Sequence, residues 1–277
     1  MSGRRPVFQL PADACDGHCH VFGPAGKFPY APERRYTPAD APKEALAGLH
    51  DRLGVARAVI VQASCHGRDN RAMLDAIAAD PARRRGVAIV DDAFTDVALG
   101  RLHDGGVRGV RFNFVRHLGG APDLAVVRRV LDRVKGLGWH VVLHLDAADI
   151  ETLTGFITAL PLPFVIDHMG RVPSAAGLEQ APFRALLEVA RRDNCWIKVC
   201  GAERISRPPY AAAVPFARTL VEAVPARVLW GSDFPHPNLD HAVDEADLVD
   251  LIPAIAPEPA AQRGLLVENP ARLYGFS

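Results

Sequence analysis

Short apolar runs rich in Val, Ile and Phe alternate with amphipathic stretches along nearly the whole chain. Eight runs stand out: Ala14–Phe22, Ala56–Ser64, Arg85–Asp91, Val107–Phe114, His140–Asp146, Phe164–Met169, Cys195–Gly201 and Val228–Phe234. Runs that are apolar without strict alternation suit strands covered on both faces, as in a parallel sheet. Between them, the segment 123–134 repeats apolar residues at helical spacing, with Asp123 placed to cap it. Ala181–Asp193, Ala211–Val224 and Leu239–Ile255 carry the same pattern. Strand starts fall about 20 to 42 residues apart, the size of βα units. Eight such units predict an α/β protein: one (β/α)8 TIM barrel spanning 1–277 as a single domain. A doubly wound sheet is the second reading. Its usual ligands need a glycine-rich phosphate turn or a nucleophile elbow, and the chain has no GxGxxG, GxxxxGK[ST] or GxSxG.

Composition narrows the class. With 49% hydrophobic and 23% charged residues in 277, the chain can bury a large core and is neither disordered nor fibrous. Lys+Arg and Asp+Glu both number 32, so no basic excess points to nucleic acid or a membrane surface. Of those cations only Lys27, Lys43, Lys135 and Lys198 are lysines, and the rest are arginines suited to gripping carboxylates in bidentate fashion. The first residues carry no apolar secretory core, and no run of 18 apolar residues occurs. The five cysteines are odd in number and form no CxxC pair. A reduced cytoplasmic enzyme, monomeric or a small homo-oligomer, is the expectation. The irregular segment 24–42 follows the first strand and should lie over the barrel's C-terminal face as a loop or lid.

In a barrel, chemistry collects where strands end. Strand one ends in His18-Cys-His20, whose period of two puts both imidazoles on one face. Such a pair can be half a metal site, an acid–base pair, or two satisfied core histidines. Strand five adds His144, strand six His168, and strand eight Asp233 with His236 beyond it. Each places an ionisable side chain at a similar height, so the set says more than any member. Arg111 lies inside an apolar strand and needs a carboxylate, either from a ligand or from Asp91 or another core acid. Arg116 and His117 follow that strand, Ser64 ends strand two, and Arg171, Arg204 and Arg207 sit in later loops. No lysine is expected at a strand end, so a carbamylated lysine bridging two metals is not expected either.

This ordering resembles the amidohydrolase superfamily: HxH on strand one, His on strands five and six, Asp on strand eight. Within it, DGHCHVFGP, VRGVRFNFV, VIDHMGR, GSDFPHPN and the terminal NPARLYGF are similar to the branch of 2-pyrone-4,6-dicarboxylate lactonase and related lactone hydrolases. The resemblance covers nearly the whole chain and implies a distorted barrel that hydrolyses a small anionic lactone in aromatic catabolism. It implies Asp233 as general base, with His18, His20 and His168 around the lactone carbonyl. Arg111 and Arg204, helped by His117, Arg116, Ser64, Arg171 and His236, would hold the substrate. Metal-free catalysis is known in that branch. Here His144 stands where the branch has Tyr, and His117 stands near where it has a second Arg. His144 would restore a ligand, so that His18, His20, His144 and Asp233 could hold one Zn²⁺ or another divalent ion. A metal-dependent sugar lactonase or isomerase, or an aromatic-acid decarboxylase, are the implied alternatives.

Overall fold

The computed structural model describes residues 3–277. Eight strands form one sheet in sequential order, every neighbouring pair parallel. They are β1 Cys15–Cys19, β2 Arg57–Val61, β3 Arg84–Ala88, β4 Val107–Asn113, β5 His140–His144, β6 Phe164–Ile166, β7 Cys195–Lys198 and β8 Val228–Leu229. Helices alternate with them on the outside, giving a nearly closed (β/α)8 barrel.

The sheet closes by backbone contacts between β1 and the segment after β8. Gly17 N donates to Trp230 O at 2.9 Å, Asp233 N to His18 O at 2.8 Å, and His20 N to Phe234 O at 2.8 Å. The two segments run so close that a Cβ on Gly231 would lie 2.6 Å from His18 N. Buried Asp16 locks the seam. Its Oδ1 accepts from His18 N (3.0 Å) and Ser232 N (2.9 Å), and its Oδ2 accepts from Ser232 Oγ (2.5 Å).

The barrel interior is filled by Val59, Val61, Val87, Val142, Val165 and Leu229, with Tyr274 and Phe276 of the C-terminal segment in the same cluster. The terminal NPARLYGF motif thus forms helix Asn269–Tyr274, tied to β8 by Asn269 Nδ2 on Val228 O at 2.9 Å.

Two expectations need correction. Leu239–Ile255 is not one helix. Residues 239–244 are irregular, and helices run Glu245–Asp250 and Ile252–Ile255. Asp244 caps the first by accepting from Ala246 N at 3.1 Å, and Pro253, which has no N–H, restarts the second. Strands six and eight are also shorter than the apolar runs. The chain turns left-handed at His168 and Asp233 (φ 53° and 59°), so both side chains stand just beyond their strands. Such backbone in non-glycine residues costs about 1–3 kcal/mol each and clusters at functional sites.

The 24–42 segment does cross the C-terminal face. It is pinned at its base by an antiparallel bridge of Phe22 with Ala41. Tyr30 Oη donates to Asp40 Oδ1 at 2.8 Å within it.

Candidate active site

Beyond the strand ends, an outer chamber of about 460 Å³ is lined by Arg35, Tyr36, His117, Leu118, Arg171 and Arg204, among others. It leads toward an inner space of about 30 Å³ walled by His20, Ser64, Arg111, His144, His168 and Asp233. That is room for about two waters.

Asp233 is fully buried and holds the centre. Its Oδ2 accepts from Arg204 Nε. Its Oδ1 has no hydrogen-bond partner among the described residues, yet faces three imidazoles. His20 Nε2 lies at 3.5 Å, His18 Nε2 at 3.6 Å and His168 Nε2 at 3.9 Å. Burial alone would raise this carboxyl, but the adjoining Arg204 guanidinium holds it well below the usual range. It is therefore an anion in the free protein.

The imidazoles are oriented from behind. His20 Nδ1 donates to Val61 O at 2.8 Å, which leaves Nε2 for the centre. His144 Nδ1 donates to Asn113 Oδ1 at 2.9 Å, and Asn113 Nδ2 donates to Ser64 Oγ at 3.1 Å. His168 Nδ1 faces the Cys200 thiol at 3.3 Å. Burial lowers His144 and His168 well below the ordinary histidine range, and lowers His18 to about 3. These rings are neutral.

Arg111 lines the inner space but is not free. Its Nε donates to Asp167 Oδ2 at 3.0 Å, so a core acid is its partner within the protein. Asp91 is not the partner, since it pairs with Arg68. No protein hydrogen bond to the terminal guanidinium nitrogens of Arg111 occurs among the described residues, and these remain for a ligand. Arg171 sits at the mouth and pairs with Asp146 at 2.9 Å.

Four expectations do not fit this geometry. Arg116 opens the short turn Arg116–Leu118, is exposed, and lines neither chamber. His236 lines neither and sits instead between Glu203 and Glu245, each at 3.5 Å. Positive φ at Asp233 and again at His236 turns the chain between them. His144 is not grouped with His18, His20 and Asp233, whose ligand atoms lie within 4.8 Å of one another. Finally, a lysine does end a strand: Lys198 closes β7, fully buried, beside Asp167 and His18.

Sequence reading also missed Asp167, Tyr36, Arg35 and Asn113. Asp167 and Lys198 carried the signal used for Arg111, a charge within an apolar run. Arg35 and Tyr36 carried none, because loop residues reach a site only through the path of the loop.

The fold and this carboxylate–imidazole centre define a barrel hydrolase. The chain belongs to the amidohydrolase family, whose model matches residues 15–276. A 2-pyrone-4,6-dicarboxylate hydrolase of Comamonas testosteroni is 50% identical over 98% of this chain and 92% of its own. A 4-sulfomuconolactone hydrolase of Rhizobium radiobacter is 42% identical over 97% and 92% respectively. A solved structure of a proposed 2-pyrone-4,6-dicarboxylic acid hydrolase from Acinetobacter baumannii, with citric acid bound, superposes with a TM-score of 0.83. It is 28% identical and covers 95% of this chain and 100% of that one.

Proposed function

We propose that the chain hydrolyses a lactone bearing two anionic groups, of the pyrone-dicarboxylate or muconolactone type. The observation that carries this reading is the meeting of an ionised, buried Asp233 with guanidinium groups on one cavity wall. Arg111 lies within, Arg204 beside the base, and Arg35 and Arg171 at the mouth. Arg35 has no ion pair among the described residues and Arg111 keeps its terminal nitrogens uncommitted, so both can grip an anion that a neutral sugar lactone does not offer. The names of the Comamonas and Rhizobium relatives, and the citric acid held by the Acinetobacter one, support the same reading.

Asp233 Oδ1 takes a proton from water as the water oxygen bonds to the lactone carbon. The carbonyl electrons move to oxygen, and His168 steadies that charge. The ring C–O bond then breaks. The proton held on Asp233 passes to the leaving oxygen, and the product is an open-chain acid. Arg111 and Arg204 hold the anionic groups through these steps, Ser64 and His117 adding polar contacts.

His18, His20 and Asp233 are donors of the right type and spacing for a divalent ion, which when bound would make its water acidic near neutral pH. One observation disagrees. Lys198 Nζ lies 2.9 Å from His18 Nδ1, and an ammonium there can only donate, so the ring proton would sit on the nitrogen that a metal would need. The steps above therefore use only side chains.

A panel of lactones with zero, one and two anionic groups tests the substrate class. Turnover confined to the charged members is expected, and preferred turnover of neutral sugar lactones would overturn the reading. Carbon dioxide release without ring opening would instead favour the decarboxylase. Elemental analysis of protein purified without chelator, and assays with and without one, test the ion. Metal-free, chelator-insensitive activity is expected.

A further inference from the structure

Lys198 has no part in the steps above, yet its side chain is fully buried. Its Nζ lies 2.9 Å from His18 Nδ1 and 3.2 Å from Asp167 Oδ1. Asp167 is also held by Arg111 at 3.0 Å, so this carboxylate is ringed by cations and stays ionised. An ammonium has three donors and no lone pair. Where it meets an imidazole nitrogen, that nitrogen can only accept. His18 must then carry its proton on Nε2.

That nitrogen points to the reacting centre. His18 Nε2 and Asp233 Oδ1 are both buried, lack hydrogen-bond partners among the described residues, and face each other at 3.6 Å. An approach of about 0.6 Å would complete an ordinary hydrogen bond, and such contacts commonly tighten once substrate binds. The opposite tautomer is within reach. His18 Nδ1 is 3.3 Å from Asp167 Oδ1 and would donate there if the lysine were gone. His18 would then offer Asp233 a lone pair, next to His20 Nε2.

We propose that Lys198 is a positioning residue that fixes His18 in its Nε2–H form. Strand one thereby gives Asp233 a hydrogen-bond donor and withholds a metal-binding lone pair. Lys198 acts at one remove, since it touches His18 and Asp167 but neither chamber. Two buried cations, Lys198 and Arg111, share one acid here, so removing either leaves Asp167 paired.

The test reads the ring and not turnover, so it stands apart from the choice of substrate. Nitrogen-15 NMR of histidine-labelled enzyme assigns the proton of His18 to Nε2 or Nδ1. Wild type should show Nε2–H. Lys198→Met should show Nδ1–H and bind added zinc chloride about 10–100-fold more tightly by calorimetry, the usual scale for a residue behind a ligand. Lys198→Gln keeps an N–H donor, and should restore the wild-type tautomer and weak zinc binding. The kcat of Lys198→Met should fall with KM little changed. A wild-type His18 protonated on Nδ1, or bound to metal through Nε2, overturns the proposal even if Lys198→Met fails to fold. So does a folded Lys198→Met that keeps Nε2–H.

Discussion

Arg204 lies against Asp233, its Nε on Oδ2, so the proposed base is already ion-paired in the free protein. The same guanidinium faces both chambers, where an anionic substrate must arrive. A substrate carboxylate that engages Arg204 draws it from Asp233, and the carboxylate becomes more basic when it is needed. The acid limb of kcat should therefore lie about one pH unit above that of kcat/KM. In Arg204→Gln the two limbs should rise and coincide. Coincident limbs in the wild type would refute this coupling.

Asp233→Asn removes the base but keeps the shape of the side chain. Its kcat should drop by about 10³–10⁴, the upper range for a general base. It also leaves Arg204, half-buried beside Asp233, without that partner, so some loss of melting temperature should accompany it. Turnover within tenfold of wild type, in a protein folded by circular dichroism, would reassign the base.

Arg111 and Arg35 should act differently on substrates. Arg111 is buried at the inner wall, while Arg35 is exposed at the mouth with no ion pair among the described residues. Arg111→Met should raise KM for every anionic lactone, by about tenfold or more. Arg35→Met should raise it by a smaller factor, and only for dianionic ones. Equal effects of Arg35→Met on mono- and dianionic lactones would remove its assignment to the second group.

His236 gives a stability prediction with a definite sign. Burial would lower its pKa, but Glu203 and Glu245 prevail and raise it to about 9. Unfolded histidine titrates near 6.5. The folded protein therefore keeps a proton that the unfolded chain has lost in this window. The pair's stabilisation is full below about pH 6.5 and fades as pH rises toward 9, at up to about 1.4 kcal/mol per unit. Thermal melts from pH 6 to 9.5 should show this decline in wild type and a flatter profile in His236→Gln. Equal slopes would contradict it.

Much of this was legible in the chain. The eight apolar runs give the barrel because strands buried on both faces cannot alternate, and this signal is local. His18, His20, His168 and Asp233 stood out because polar groups at the ends of apolar runs have few bland explanations. Local pattern misled where it was read as continuous. Leu239–Ile255 has helical spacing, but its first residues follow the turn from Asp233 and do not coil. Arg116 and His117 are neighbours that sequence cannot separate, and one short turn sends them to different surroundings.

The sequence by itself determined the architecture, the height at which the chemistry sits and the kinds of group that carry it. Strand periodicity and the siting of charge depend on residues within a few positions of one another. Only the tertiary structure decided how these groups pair. Arg111 meets Asp167 across 56 positions, and Lys198 meets His18 across 180. Such partners are chosen by the curvature of the closed sheet. A buried charge or imidazole then takes its protonation state from the neighbour that closure provides, which composition and spacing do not encode.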